Sequence, residues 1–155
     1  LHKFDELDMK ILTELTKDGS ISVPNLSKKL GINTSVLYSR IKRLIKKKLI
    51  TKFTIVVDES LIGIGVRATV GINRDPKLKD QIHKALLKTP EVIMISEVTG
   101  RFDIIITVRA KNLEELHTVV IEKIGKIEGI QNTETFVELQ RTDKDPVYIT
   151  TEQST

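Results

Sequence analysis

Cysteine is absent from the 155 residues. That excludes a disulfide framework, a zinc ribbon and thiol chemistry. Aromatic residues are scarce at 4%, so any core must be built from Ile, Leu and Val. No apolar run approaches the roughly 18 residues that a membrane span needs, and the charged N-terminus lacks the apolar core of a signal peptide. These absences favour a cytoplasmic protein. The three histidines, His2, His83 and His117, have no metal-ligand spacing. There is no Gly-rich phosphate loop and no Gly-x-Ser-x-Gly elbow. The expectation is therefore a protein that is not an enzyme, with no metal and no resident cofactor.

Charge is present, and unevenly placed. The net charge is +4. Residues 1–60 hold 12 Lys/Arg against 7 Asp/Glu, a net of +5, and residues 61–155 hold 13 against 14, a net of −1. Attraction to phosphate predicts such an asymmetry for a nucleic-acid-binding segment joined to a neutral one.

The basic segment is patterned. Asp5 is placed to cap a first helix with Leu7, Ile11, Leu12 and Leu15 on its buried face, and Gly19 marks its stop. Ser22 suits the cap of a second helix, with Pro24 in its first turn and Gly31 at its end. Asn33 or Thr34 opens a third, running to about Lys47. At about 100° per residue, Leu37, Ile41 and Leu44 share one stripe, which Lys48 interrupts. Ser35, Ser39, Lys42 and Lys46 lie opposite, with Val36 and Arg43 beside them. Short hydroxyls and a Val allow close approach to base edges, while Lys42, Arg43 and Lys46 reach phosphates. A helix, a tight turn and a second helix with these faces make a helix-turn-helix. A solvated amphipathic helix is the plainer reading of the third helix alone. Arg40 lies on its flank, where it either touches DNA or bridges to an acid within the domain.

Residues 49–57 turn β-branched and read as a strand, and the two glycines of residues 58–65 read as a linker. The expected organisation is a DNA-binding domain over residues 1–50, a hinge strand and linker over 51–65, and a second domain over 66–149. Residues 150–155 read as a disordered tail. The second domain alternates strand (66–72), helix from Pro76, strand (92–98), turn (99–101), strand (103–109), helix from Asn112 and strand (130–139). The helix from Asn112 is expected to bury Leu113, Leu116, Val119, Val120, Ile121 and Ile124. Residues 146–149 offer one more short strand. The fold class is α+β, a winged helix-turn-helix followed by a β-α-β-β-α-β ferredoxin-like domain. Two helices cover one sheet face, and the apolar open face is expected to meet another subunit.

Several stretches resemble the Lrp/AsnC, or feast-famine, transcription regulators: residues 7–19, Leu26-Ser27-Lys28-Lys29-Leu30-Gly31 with Arg40-Ile41-Lys42-Arg43-Leu44, Leu49-Ile50-Thr51-Lys52-Phe53, and Val98-Thr99-Gly100-Arg101-Phe102-Asp103. The resemblance spans nearly the whole chain. It implies a regulator that binds double-stranded DNA as a homodimer, often assembled further into tetramers or octamers. It also implies an amino-acid effector held near the turn between the second and third strands. On this chain that site comprises Thr99, Gly100, Arg101 and Asp103, with Ser96, Glu97, Thr133 and Thr135 as neighbours. Where family members often carry an acid, this chain has Arg101, which attracts a carboxylate or another anion rather than an amino group. A plain hairpin turn is the alternative for residues 99–103.

In the expected complex, two recognition helices enter successive major grooves. Ser35, Val36 and Ser39 lie nearest the bases, and Asn33, Thr34, Arg40, Lys42, Arg43 and Lys46 anchor the backbone. Two rivals share the fold. An RNA-binding domain has the same strand order but stacks bases on aromatics, which 104–108 lack. A sensor acting on a protein partner would not need the basic N-terminal excess.

Overall fold

The computed structural model describes residues 3–150, which form two compact units. One comprises the described residues up to Val56 together with those from Thr142 onward; the other spans Val57–Arg141.

The first unit is a three-helix bundle: α1 (Glu6–Lys17), α2 (Val23–Leu30) and α3 (Thr34–Lys46). Each start is chemically marked. The Asp5 side chain accepts from the Asp8 amide while Asp8 accepts from the Asp5 amide, a reciprocal capping box. Ser22 caps α2 with Pro24 in its first turn, and Asn33 caps α3. Gly31 ends α2 at φ +66°, a left-handed turn that a Cβ would disfavour. Ile11, Leu26, Leu37 and Leu44 are fully or almost fully buried, with Leu7, Leu12, Leu15, Leu30 and Ile41 packed around them. The expected apolar stripe of α3 is therefore the buried one, and it ends before Ile45, which is exposed.

The expected hinge strand does not form within the chain. Residues 51–57 are in no strand, and no backbone–backbone hydrogen bond joins them to another described segment. Strand geometry without a neighbouring strand leaves its N–H and C=O groups to solvent. The short strand expected at 146–149 is also absent. Instead the Tyr148 amide donates to Thr13 Oγ1 at 2.9 Å, which ties this segment to α1. The compact unit built on the sheet closes at Arg141. Thr150 is described and partly buried; the rest of the expected tail, 151–155, lies outside the described residues.

The second unit runs β1 (Val66–Arg74), α4 (Lys79–Leu87, entered through a 3₁₀ turn at Pro76–Leu78), β2 (Val92–Glu97), β3 (Ile104–Ala110), α5 (Leu113–Thr118, continued by a wider π-helical stretch to Ile124) and β4 (Ile130–Val137). The strands pair antiparallel in the order β2-β3-β1-β4, the arrangement expected of the β-α-β-β-α-β sequence. Ala68, Val70 and Ile72 of β1 and Ile104, Ile106 and Val108 of β3 pack under Ile82, Leu86, Leu116, Val119, Val120 and Ile124. Leu113 and Ile121, expected inside, are exposed. Leu113 opens the first turn of α5 and Ile121 falls between the buried positions 120 and 124, so both sit off the stripe facing the sheet.

The open face of the sheet is mixed rather than wholly apolar. The register sets Thr69 beside Thr107 and Phe136, Gly71 beside Ile105 and Glu134, and Arg67 beside Arg109.

Candidate nucleic-acid interface and effector loop

The third helix of the bundle presents what a groove-reading helix requires. Thr34, Ser35, Val36, Ser39, Lys42 and Lys46 are all exposed. Asn33 works as the cap: its Oδ1 accepts from the Ser35 amide and from Ser35 Oγ, both at 2.8 Å. The Lys42 ammonium lies 4.8 Å from the centre of the Tyr38 ring, which steadies a flexible side chain at the surface. Lys46 makes no ion pair with a described residue.

Arg40 and Arg43 are engaged inside the bundle. Arg43 Nη2 pairs with Asp8 Oδ2, and Arg40 Nη1 reaches Asp8 Oδ1 at 3.2 Å and also Asp5. The Arg43 guanidinium stands 5.8 Å from the Phe4 ring centre. Asp8 is 0% exposed. Burial opposes ionisation of Asp5, but the hydrogen bonds from Arg40 and from the Asp8 amide outweigh it and hold its carboxyl below the ordinary range. Of the two openings for Arg40, the internal bridge is the one present, and Arg43 shares it. Sequence reading missed Asp8. The available signal was a matched spacing: acids at 5 and 8, arginines at 40 and 43, each pair one helical turn apart.

At the other unit, residues 98–103 form a turn bound to the sheet at several points. The Val98 amide donates to the Asp103 carbonyl at 3.0 Å, and the Asp103 amide to the Ile72 carbonyl at 3.0 Å. Asp103 Oδ2 accepts from the Arg74 amide at 3.0 Å, and Asn73 Nδ2 donates to the Arg101 carbonyl at 2.9 Å. The Phe102 ring lies flat against Gly71, where a Cβ would fall 2.5 Å from the ring. Thr99 and Gly100 form the exposed tip. Glu97 accepts from Arg74 at 2.9 Å and faces Lys79 at 3.4 Å. Burial works against its charge, yet these two cations keep its carboxyl below the usual value.

Arg101 is 77% exposed on its side chain and meets Glu134 at 2.9 Å, with its guanidinium 5.5 Å from the Phe102 ring centre. Glu134 went unnoticed in the sequence, although its neighbours Thr133 and Thr135 were singled out. The register separates them: Thr133 and Thr135 pair with Ile72 and Val70 on the helix-covered face, whereas Glu134 pairs with Gly71 on the open one. Ser96 pairs with Ile105 on that open face. The expected set is thus split. Arg101 and Ser96 share a face with Glu134, while Asp103 and Glu97 are engaged in holding the turn and its surroundings. Among the described residues, no group of three or more His, Asp or Glu is placed to hold a metal ion.

A helix-turn-helix unit joined to a four-stranded unit carrying a loop of this kind defines a DNA-binding transcription regulator with a small-molecule domain. Residues 4–51 match the profile described as winged helix-turn-helix DNA-binding, and residues 67–148 match the Lrp/AsnC ligand binding domain. The chain belongs to the Lrp/AsnC family of regulators. It is similar to the HTH-type transcriptional regulator FL11 of Pyrococcus furiosus, at 35% identity over 136 residues, covering 88% of this chain and 89% of that protein. A second regulator from the same organism, bearing the description "uncharacterized", is 38% identical over 136 residues, covering 86% of this chain and 91% of its own. Among solved structures, E. coli AsnC superposes with a TM-score of 0.85 at 27% identity, over 94% of this chain and 99% of that one. A transcriptional regulator from Neisseria meningitidis in complex with L-Met gives a TM-score of 0.89 at 17% identity, over 95% and 97%, a likeness of fold alone.

Proposed function

We propose that α3 enters the major groove with Ser35, Val36 and Ser39 against the bases, Asn33 and Thr34 at the groove edge, and Lys42 and Lys46 on phosphates. Arg40 and Arg43 position this helix instead of anchoring the backbone. The observation that carries the reading is the division of charge on α3. Its two arginines are engaged by Asp5 and Asp8, whereas Lys42 and Lys46 meet no carboxylate among the described residues. Each phosphate neutralised contributes about 0.9 to the slope of log K against log salt. Lys42→Ala and Lys46→Ala should each flatten that slope by about one unit per copy bound, measured by anisotropy on a duplex at several salt concentrations. An unchanged slope for both variants would take α3 out of the interface. A cytoplasmic location follows from a chromosomal partner; no helix among the described residues is long and apolar enough to cross a membrane.

The effector reading follows from the loop. The neighbour solved with L-Met carries a free amino acid, and such a ligand brings one carboxylate and one ammonium. Arg101 and Glu134 present the complementary charges side by side on the open sheet face. A zwitterion exchanging with this exposed pair would satisfy both groups at small cost, because a surface pair is worth roughly 0–1 kcal/mol. The ligand is therefore an amino acid received between Arg101 and Glu134, next to Ser96 and the loop tip at Thr99 and Gly100. Asp103 and Glu97 hold the turn in place. A homodimer is the functional form, with further assembly into tetramers or octamers.

A further inference from the structure

The cations of the second unit are mostly neutralised in place. Arg74, Lys79, Arg101, Arg109, Lys123, Lys126 and Arg141 each meet a carboxylate. Arg67 and Lys111 do not meet one among the described residues, and neither do Lys77, Lys84 and Lys88, which are all exposed. These last three are not scattered. Together with Gln81 they line one open concavity of about 810 Å³ along the outer side of α4. Among the described residues, Asp80 is the only carboxylate in its wall. The opposite side of α4 is apolar and packs on the sheet through Ile82 and Leu86, which fixes the lysines outward.

We infer that this lysine stripe is a second contact surface for the DNA backbone, separate from the groove-reading helix. The inference rests on the reading that the chain binds duplex DNA, and adds that flanking duplex is held by the effector domain. The physical case has two parts. Three uncompensated ammonium groups on one concave surface, with one opposing carboxylate, suit a partner of dense regular negative charge. Tethering then makes a weak surface effective. Once α3 is bound, the attached unit meets nearby duplex at an effective concentration in the millimolar range, above the dissociation constants of about 10⁻⁴–10⁻⁶ M typical of non-specific DNA contacts.

The test uses the full chain and two random-sequence duplexes, of ~20 and ~80 base pairs, lengths chosen to exclude or include flanking DNA. The variant is Lys77→Gln/Lys84→Gln/Lys88→Gln, and a matching triple Lys→Arg variant retains the charge. Lys126→Gln, whose lysine is paired with Glu122, shows what losing one positive charge away from the stripe does. On the long duplex the Gln variant should lose about 2–3 units of salt slope per bound copy. The Arg variant and Lys126→Gln should match the parent. On the short duplex all four should agree. A parental slope for the Gln variant on the long duplex overturns the inference. So does parental DNA binding together with lost binding to polyglutamate, which would assign the stripe to an acidic protein partner. Failure of the parent chain to bind either duplex would bring down the proposed function as well, and is distinguishable because it appears without any substitution. Matched melting temperatures verify that the Gln variant is folded.

Discussion

Asp8 is fully buried and meets two guanidiniums, so the arginines of α3 cannot be removed without structural cost. Truncating Arg43 leaves a buried carboxylate with one partner fewer, a loss of about 2 kcal/mol. We expect Arg43→Ala to lower the denaturation midpoint of the N-terminal unit while leaving the salt slope of DNA binding unchanged for the folded fraction. This separates it from Lys42→Ala. A flatter slope with unaltered stability would return Arg43 to the backbone contacts. Gly71 poses the opposite problem, one of space. A methyl group there meets the Phe102 ring at 2.5 Å, and the ring belongs to the turn at residues 98–103. Gly71→Ala should cost about 1–3 kcal/mol through overpacking. Adding Phe102→Ala should recover part of that loss, since the clash then has no second partner. Equal melting temperatures for the single variant and the parent would show that the ring moves aside freely.

Elements were legible wherever local chemistry decides them. Asp5, Ser22, Asn33 and Asn112 are helix caps in the structure, because a cap depends on one side chain and the amides that follow it. The strand order followed from the alternation of strands and helices. What stayed hidden needed a second element to define it. Asp8 reads as an ordinary first-turn acid until α3 brings two arginines to it, and Glu134 is not separable from Thr133 and Thr135 until the register assigns faces. The capped and bridged bundle also predicts its acid response. Asp5, Glu14 and Asp18 have carboxyls held below their ordinary values. In Asp5 the Arg40 and Asp8 hydrogen bonds overcome burial; in Glu14 Lys29 and then Lys17 act, and in Asp18 the Ser20 hydroxyl and amide. A depressed folded-state value means stability that is present above the unfolded-state value and lost as pH falls through the folded one. The melting temperature of this unit should hold from neutral pH to about 4.5, the ordinary Glu value, and fall below about 3.8, the ordinary Asp value. Circular dichroism melts across that range check this, and a decline that starts above pH 6 would contradict it.

For the whole molecule, the segment that failed to become a strand is the most informative. Residues 51–57 combine β-branched residues, backbone groups with no backbone partner among the described residues, and apolar side chains in solvent: Ile55 is 81% exposed and Val56 98%. A single chain gains little by leaving such an edge open, because it exposes both a pairing template and apolar surface. A second copy of the same segment would supply what is missing under a two-fold axis, each strand serving as the other's neighbour. Burying one Ile is worth about 1.5–3 kcal/mol, and a two-fold axis counts that gain twice. A charge at this position forfeits the gain and adds repulsion between copies, also twice. Ile55→Glu should therefore shift the protein toward monomer in size-exclusion chromatography with light scattering. DNA affinity should fall with it, since one copy presents one recognition helix instead of two spaced by a helical turn. The same chromatography with aspartate, glutamate and methionine present should change the mass of the parent protein if the Arg101–Glu134 loop controls further assembly. In Ile55→Glu the loop is untouched, so amino-acid binding by calorimetry should persist even where the mass change is lost. A variant that stays dimeric, with parental DNA affinity, would move the dimer contact away from residues 51–57 and onto the open sheet face with Thr69, Ile105 and Phe136.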